Sequence, residues 1–185
     1  MQLLDSDTGN IPDLIYSAFF YGTLLHPRIL KRVLGRNGED LNIAPAILDG
    51  YIRHRVRGAD FPAIILASTS HQFFNTGAST PDVDRVRGCY VSGLTEIDMK
   101  RLDRFESGLY SRKNVEVRLL LEPVLGLDTI DVQTLIDPKV NDGDPTAESS
   151  TSQAITYVWS EPLGDLRPEP WSFTDFVAQK LDYWG

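Results

Sequence analysis

Two short segments of the chain contain the residue types needed to hold a small molecule and to move a proton. The first, residues 21–24, is a Tyr-Gly-Thr-Leu turn that closes an apolar run, and the second, residues 102–106, is Leu-Asp-Arg-Phe-Glu. A backbone cradle and one sheltered acid together form a minimal apparatus for acid–base chemistry on a small substrate. Either segment alone would indicate little.

Glu106 is the candidate acid. On a helix it lies four residues after Leu102, which must face the core, so both side chains share that face. Burial and the negative end of the helix dipole both disfavour a carboxylate, so we expect a raised pKa and a group able to exchange a proton near neutral pH. The alternative is a solvated glutamate at a helix end, since glutamates are rarely fully buried.

The turn after the first apolar run is the candidate substrate cradle. It comprises Tyr21, Gly22, Thr23, Leu24, Leu25 and His26. Glycine lets a ligand approach the backbone, and amides that lead into a helix favour an anion. The alternative is a tight turn that needs glycine only for its own geometry.

Two further groups could contact a substrate. Tyr110, four residues beyond Glu106, could orient the substrate or the acid through its hydroxyl; the alternative is a core tyrosine at the start of a strand. Arg53, Arg55 and Arg57 alternate along a predicted strand, so they could attract a carboxylate or could simply form the solvated face of a sheet.

Other chemistries have weaker support in the sequence. His26, His54 and His71 lack metal-ligand spacing and Cys89 has no cysteine partner, so we expect no metal site. The chain contains no nucleophile elbow, phosphate loop or dinucleotide fingerprint. We expect Cys89 to be a small buried hydrophobe, and acid–base chemistry at Glu106 requires no cofactor.

The composition predicts a single globular domain, residues 1–185, with a sizeable core. The chain has 185 residues, of which 42% are hydrophobic, and its net charge of -8 argues against binding to nucleic acid or to an anionic membrane surface. No apolar stretch is long enough to span a membrane, and residues 1–13 lack the pattern of a signal peptide. With one cysteine, these features favour a cytoplasmic protein.

The predicted elements do not alternate strictly between strand and helix. Helices are predicted over residues 28–34, 96–105 and 171–184, and strands over residues 14–21, 43–56, 61–67, 85–94, 114–124, 129–136 and 154–159. This order favours an α+β fold with a small mixed, mainly antiparallel β-barrel of about six or seven strands and flanking helices. Residues 114–124 and 129–136 are predicted to form a hairpin, residues 1–13 a loose start, and residues 68–84 and 137–152 inserted loops.

An ordered set of motifs resembles the gamma-glutamylcyclotransferase-like superfamily, and within it the branch named for the plant avirulence-induced protein. The motifs cover most of the chain from about residue 17 to 184. They are Phe-Phe-Tyr-Gly-Thr-Leu with His-Pro over residues 19–27, Ala-Ile-Leu-Asp-Gly-Tyr over 46–51, Phe-Pro-Ala-Ile over 61–64, Val-Arg-Gly over 86–88, Leu-Asp-Arg-Phe-Glu over 102–106 with Tyr110, and Val-Trp over 158–159.

The resemblance implies a compact barrel with flanking helices and one cavity. It implies that residues 21–26 bind the substrate, that Glu106 is the general acid/base and that Tyr110 faces the substrate. The family's usual reaction is an intramolecular aminolysis that releases 5-oxoproline from a gamma-glutamyl amine or peptide, so the implied partner is a small molecule. The alternative is a non-catalytic binding or interaction protein that uses the same cavity. Ser107 departs from the glycine that commonly follows the glutamate in this family.

Overall fold

The structure, a computed structural model, describes residues 14–76, 84–137 and 150–184. Its strands are β1 (Tyr16–Phe20), β2 (Asn42–Asp49), β3 (Tyr51–Val56), β4 (Pro62–Leu66), β5 (Arg85–Leu94), β6 (Tyr110–Leu119), β7 (Val124–Leu125), β8 (Thr151–Trp159) and β9 (Leu166–Arg167). Its α-helices are α1 (Pro27–Leu34), α2 (Ala67–Phe74), α3 (Glu96–Glu106), α4 (Val132–Ile136), α5 (Phe173–Gln179) and α6 (Leu181–Trp184). The predicted loose start at residues 1–13 lies outside the described residues.

Five strands close into a small barrel. They are joined in the order β5–β1–β8–β6–β2, and β2 pairs again with β5. The pairing of β1 with β8 is parallel and the other barrel pairings are antiparallel. Strand β7 extends the sheet from β2, and β4, β3 and β9 form a separate antiparallel sheet. The predicted α+β class with a mainly antiparallel barrel is confirmed.

Helices α1, α3 and α5 share one hydrophobic core with β1 and β5. Helix α1 is capped at its carboxyl end by Gly35, whose φ of 65° suits glycine. Helix α3 begins with a capping box, in which Thr95 and Asp98 each accept a hydrogen bond from the other's backbone amide. Because Leu102 is fully buried, the last turn of α3 is held against the barrel.

Two predicted segments have a different structure. Residues 68–74 of the first inserted loop belong to helix α2, whose polar sequence is stabilised by contacts to β3: Ser70 hydrogen-bonds His54, and Phe74 packs on the same ring at 4.9 Å. The predicted strand over residues 129–136 contains helix α4, which is capped by Asp131 and buries Leu135. The predicted hairpin is therefore wrong, and β6 pairs with β8 and β2 instead.

Other differences concern boundaries. The predicted strand over residues 43–56 is divided at Gly50 into β2 and β3, and the predicted final helix is divided at Lys180 into α5 and α6. Residues 151–152 of the second inserted loop already belong to β8, while residues 77–83 and 138–149 of the two loops lie outside the described residues. In the part of the chain that is described, none of the helices combines the length and apolarity needed to traverse a membrane.

Candidate active site

A cavity of about 130 Å³ lies where the turn after β1 meets the end of α3. Six of the predicted site residues line it, namely Tyr21, Gly22, Thr23, Leu24, Glu106 and Tyr110. Much of the remaining wall is apolar or aromatic and includes Phe19, Phe61, Phe105, Leu109 and Trp184. Two segments separated by about eighty positions in the sequence therefore meet around one hollow.

The turn after β1 presents backbone amides at the cavity. Its 3-10 segment, Thr23–Leu25, is closed by hydrogen bonds from the Leu25 amide to the Gly22 carbonyl (3.0 Å) and from the His26 amide to the Thr23 carbonyl (3.2 Å). As far as the described residues show, this leaves the amides of Gly22, Thr23 and Leu24 as donors for a bound molecule. Donors grouped in this way suit a carboxylate or an oxyanion.

Gly22 is needed for close packing of the cavity wall. A Cβ at this position would lie 2.9 Å from Cγ of Pro62. The Pro62 carbonyl in turn accepts a hydrogen bond of 2.9 Å from the hydroxyl of Tyr110. Gly22 therefore allows β4 to approach the turn and to hold Tyr110 in the wall.

Glu106 is the acid of the cavity. Its side chain is partly buried at the last position of α3, and burial raises its pKa to about 8. No hydrogen bond to its carboxyl occurs among the described residues. Burial, and then the Glu106 charge, raise the pKa of Tyr110; burial, and then the charges of Tyr110 and Glu106, raise the pKa of Tyr21. The side chains of Glu106, Tyr110 and Tyr21 are therefore close enough for the charge of one to affect the pKa of another.

The residue after Glu106 has an unusual backbone conformation. Ser107 has φ 58° and ψ -161°, in a region that favours glycine, and it also lines the cavity. The reversal ends α3 and leads through a short 3-10 turn, Ser107–Leu109, into β6, which begins with Tyr110. Serine in place of the glycine that is common in the resembled family is thus accommodated with backbone strain. The reversal at Ser107 lies between the two site residues Glu106 and Tyr110.

A polar network that the sequence reasoning missed connects the two segments. The Tyr157 carbonyl accepts a hydrogen bond of 2.6 Å from the Tyr21 hydroxyl, and the Tyr157 hydroxyl donates to Asp103 Oδ1 at 2.9 Å. Arg112 donates to both carboxylate oxygens of Asp103, each at 2.6 Å. Asp103 lies one turn before Glu106 in α3, so Tyr157 links the substrate turn to the helix that presents the acid.

Two residues of the predicted cradle do not line this cavity. The side chain of Leu25 is buried in the main core, and His26 caps α1 by accepting a hydrogen bond of 3.2 Å from the Arg28 amide through Nδ1. Their positions in the turn are as predicted, but the wall of the cavity ends at Leu24.

The three alternating arginines differ in their surroundings: Arg53 and Arg55 lie in β3, and Arg57 directly follows it. Arg55 and Arg57 are exposed and donate to the carbonyls of Pro170 and Gly164, which agrees with a solvated face. Arg53 is partly buried and donates to the Tyr21 carbonyl at 2.8 Å, so it supports the substrate turn from outside the cavity.

Cys89 is the predicted buried hydrophobe. It is fully buried in β5, and burial raises the pKa of its thiol to about 12, which leaves it unreactive as a nucleophile at neutral pH. The described ranges contain no group of three His, Cys, Asp or Glu side chains arranged to hold a metal ion.

Comparisons with known proteins identify relatives of the chain. A family model described as "Gamma-glutamyl cyclotransferase, AIG2-like" matches residues 18–173. AIG2-like protein C of Arabidopsis thaliana is 32% identical over 104 residues, which are 56% of this chain and 51% of that protein. The chain spans about half the length of the curated relatives that it matches.

Solved structures show the same fold. The solution structures of two Arabidopsis thaliana proteins superpose with TM-scores of 0.54 and 0.52, each at 20% identity. Both alignments cover 92% of this chain, and they cover 78% and 85% of the two proteins respectively. At this level of identity the likeness concerns the fold alone.

Proposed function

Because the chain belongs to the gamma-glutamyl cyclotransferase, AIG2-like family, we propose that it is an enzyme that converts a gamma-glutamyl amine or peptide to 5-oxoproline and a free amine. The observation that supports this proposal is the meeting of the Tyr-Gly-Thr-Leu turn and Glu106 around one cavity. A cavity of this kind combines anion-binding amides with a proton-exchanging acid.

The proposed reaction takes place within one substrate molecule. The α-amino nitrogen attacks the γ-carbonyl carbon, and a carbon–nitrogen bond closes the five-membered ring. The bond from that carbon to the leaving nitrogen then breaks, and the leaving nitrogen receives the two protons that the attacking ammonium nitrogen has lost. No water or cofactor is consumed. Holding the substrate folded supplies much of the rate, because attacker and target need not meet by diffusion.

Glu106 is proposed to carry that proton. With a pKa of about 8, its carboxyl is mostly protonated in the empty cavity at neutral pH. A substrate ammonium that enters beside it favours the carboxylate and lowers this pKa, so the base forms when the substrate binds. The Glu106 carboxylate accepts a proton from the ammonium, which frees the nitrogen to attack, and passes that proton to the leaving nitrogen. The second proton that the attacking nitrogen loses on ring closure follows the same route, so the product leaves as an ammonium.

The substrate turn is proposed to bind the charged end of the substrate. The amides of Gly22, Thr23 and Leu24 would donate to its α-carboxylate or to the oxyanion that develops on the γ-carbonyl. Neutral backbone donors stabilise such an anion without adding a positive side chain that would repel the substrate ammonium.

The wall of the cavity favours an uncharged or cationic leaving amine. The described lining contains no Lys, Arg or His, and the rings of Phe61 and Phe105 each meet Trp184 edge-to-face, at 6.2 and 6.1 Å. A carboxylate on the leaving group would be desolvated there without a counter-charge, whereas an apolar or cationic group suits aromatic faces. We therefore propose gamma-glutamyl amines in preference to acidic peptides.

The test is the release of 5-oxoproline from a panel of gamma-glutamyl amines and dipeptides. We expect turnover by the native chain and a loss of about 10²–10⁴-fold in Glu106→Gln, which keeps the shape and removes the base. Glu116→Gln is the matched control, since Glu116 is an exposed glutamate on β6 that hydrogen-bonds Gln153.

Two results would contradict the proposal. Full turnover by Glu106→Gln would show that Glu106 is not the general acid/base. Saturable binding of the panel by the native chain without any 5-oxoproline would instead identify a binding protein.

A further inference from the structure

A second cavity lies next to the substrate turn. Leu24 lines the first cavity, whereas the adjacent Leu25 lines a separate cavity of about 450 Å³. The two cavities share no lining residue. The second one is lined by two guanidinium groups, Arg53 and Arg87, and by Trp171, which is fixed by a hydrogen bond of 2.8 Å from its indole nitrogen to the Asp60 carbonyl.

Arg53 is a partly buried cation with unused donors. One of its terminal nitrogens, Nη1, donates to the Tyr21 carbonyl at 2.8 Å, and its guanidinium carbon lies 5.5 Å from the centre of the Trp171 ring. Among the described residues no carboxylate forms an ion pair with Arg53. Burial lowers its pKa to about 10, but the group remains charged at neutral pH. A guanidinium has five N–H donors, so several of them are available to a ligand in this cavity.

We propose that the second cavity binds a small oxyanion, a carboxylate or phosphate group, on the guanidinium of Arg53. The planar guanidinium matches the paired oxygens of such a group. Arg87 also lines the cavity, and hydroxyl groups come from Ser172 and Thr174. The Ser172 hydroxyl accepts a hydrogen bond from the Asp175 amide, and its own proton remains available as a donor.

One acid also lines the second cavity. Asp137 is exposed, so water and salt screen its charge more than they screen the partly buried Arg53. The anion is therefore expected on the Arg53 side, where it would contact the same guanidinium that holds the Tyr21 carbonyl. This inference does not depend on the proposed reaction, because binding can be measured without turnover.

The test is calorimetric titration of the full chain with inorganic phosphate and, separately, with acetate. We expect saturable binding of at least one of these anions, and the anion that binds identifies the chemical group. Arg53→Gln is expected to weaken that binding about tenfold or more, since it removes charge-assisted hydrogen bonds. Arg55→Gln is the matched control, because Arg55 lies two residues along β3 and is exposed.

A second variant keeps the test decisive if Arg53→Gln does not fold. Thr174→Asp places a carboxylate at the exposed second position of α5, where an acid suits the first turn of a helix. It should fold normally, as checked by its thermal melt, and should weaken binding about twofold to threefold, because the new carboxylate repels the anion but is exposed and screened like that of Asp137. The proposal is overturned if neither anion binds the native chain, or if folded Thr174→Asp binds as tightly as the native chain.

Discussion

At the scale of single residues, the end of α3 combines two features that lower stability, a buried acid and a strained backbone. Glu106 is held where its charge is disfavoured, and the adjacent Ser107 has a left-handed φ of 58°. Such costs persist where the surrounding structure enforces them, and they are common at functional sites. Here the enforcement comes from Leu102, which is fully buried one turn earlier, and from β6, which begins three residues after Ser107.

Ser107→Gly tests the backbone strain. Glycine adopts this φ without strain, so we expect the variant to be about 1 kcal/mol more stable than the native chain, after allowing for the greater entropy of glycine in the unfolded state. For a chain of this size that gain corresponds to a melting temperature about 2–4 °C higher. Ser160→Gly is the control, because Ser160 does not have a positive φ, and this variant should be slightly destabilised. A lower melting temperature for Ser107→Gly would show that the serine side chain contributes more than its backbone costs.

Some of the site could be predicted from single residues and some could not. The position of Glu106 follows from its spacing to Leu102, because helical periodicity is a local property. The role of Tyr157 could not be derived, because its contacts depend on the register of β6 against β8, which places it opposite Arg112. A signal was present in the alternation of β8, where Ile155, Tyr157 and Trp159 share a face, but strand partners are not encoded locally.

At the scale of elements, three of them form the cavity: β1 leads into the substrate turn, the end of α3 carries Glu106, and the start of β4 closes the wall. The helical spacing of their apolar residues made α1 and α3 predictable, and the strand-forming residues Val86, Tyr90 and Val91 made β5 predictable. The misassigned helices are short. Helix α4 lies in a short apolar run whose periodicity does not distinguish a helix from a strand. Helix α2 depends on contacts to His54, which lies in β3.

Gly22→Ala tests the contact between the turn and β4. The new methyl group would lie 2.9 Å from Pro62 Cγ, so the turn or the proline must move, and we expect a loss of about 1–3 kcal/mol in the free energy of unfolding. Under the proposed function, 5-oxoproline release should fall as well, because the amide donors shift. Gly108→Ala is the control, since an added Cβ there meets nothing within 4 Å. Denaturant unfolding of both variants gives the comparison, and equal stabilities would refute the packing role of Gly22.

At the scale of the whole molecule, the buried acid makes folding stability depend on pH. The pKa of Glu106 is raised from 4.5 to about 8, so the folded chain holds this proton more tightly than the unfolded chain does. Its contribution to stability is complete below pH 4.5 and decreases as the pH rises through about 8. Stability therefore falls as the pH rises, whereas a salt-bridged carboxylate, whose pKa is lowered by folding, makes stability rise with pH.

Glu106→Gln isolates this contribution, because glutamine resembles the protonated acid at every pH. We expect the variant to melt at a higher temperature than the native chain at about pH 9, and the difference to disappear near about pH 4. Thermal melts across this range, with Glu116→Gln as the exposed reference, measure the effect. A difference that does not change with pH would mean that Glu106 is not desolvated in the folded chain.

The parallel pairing of β1 with β8 has a consequence for how the protein is made. Strand β1 is the first described strand, and β8 follows more than 130 residues later, yet the barrel closes only when they lie side by side. A ribosome must therefore synthesise β8 before the nascent chain can complete its barrel, and until then β1 has an unpaired edge. Growing chains arrested before residue 151 should accordingly be sensitive to protease and retained by chaperones, whatever reaction the finished protein performs.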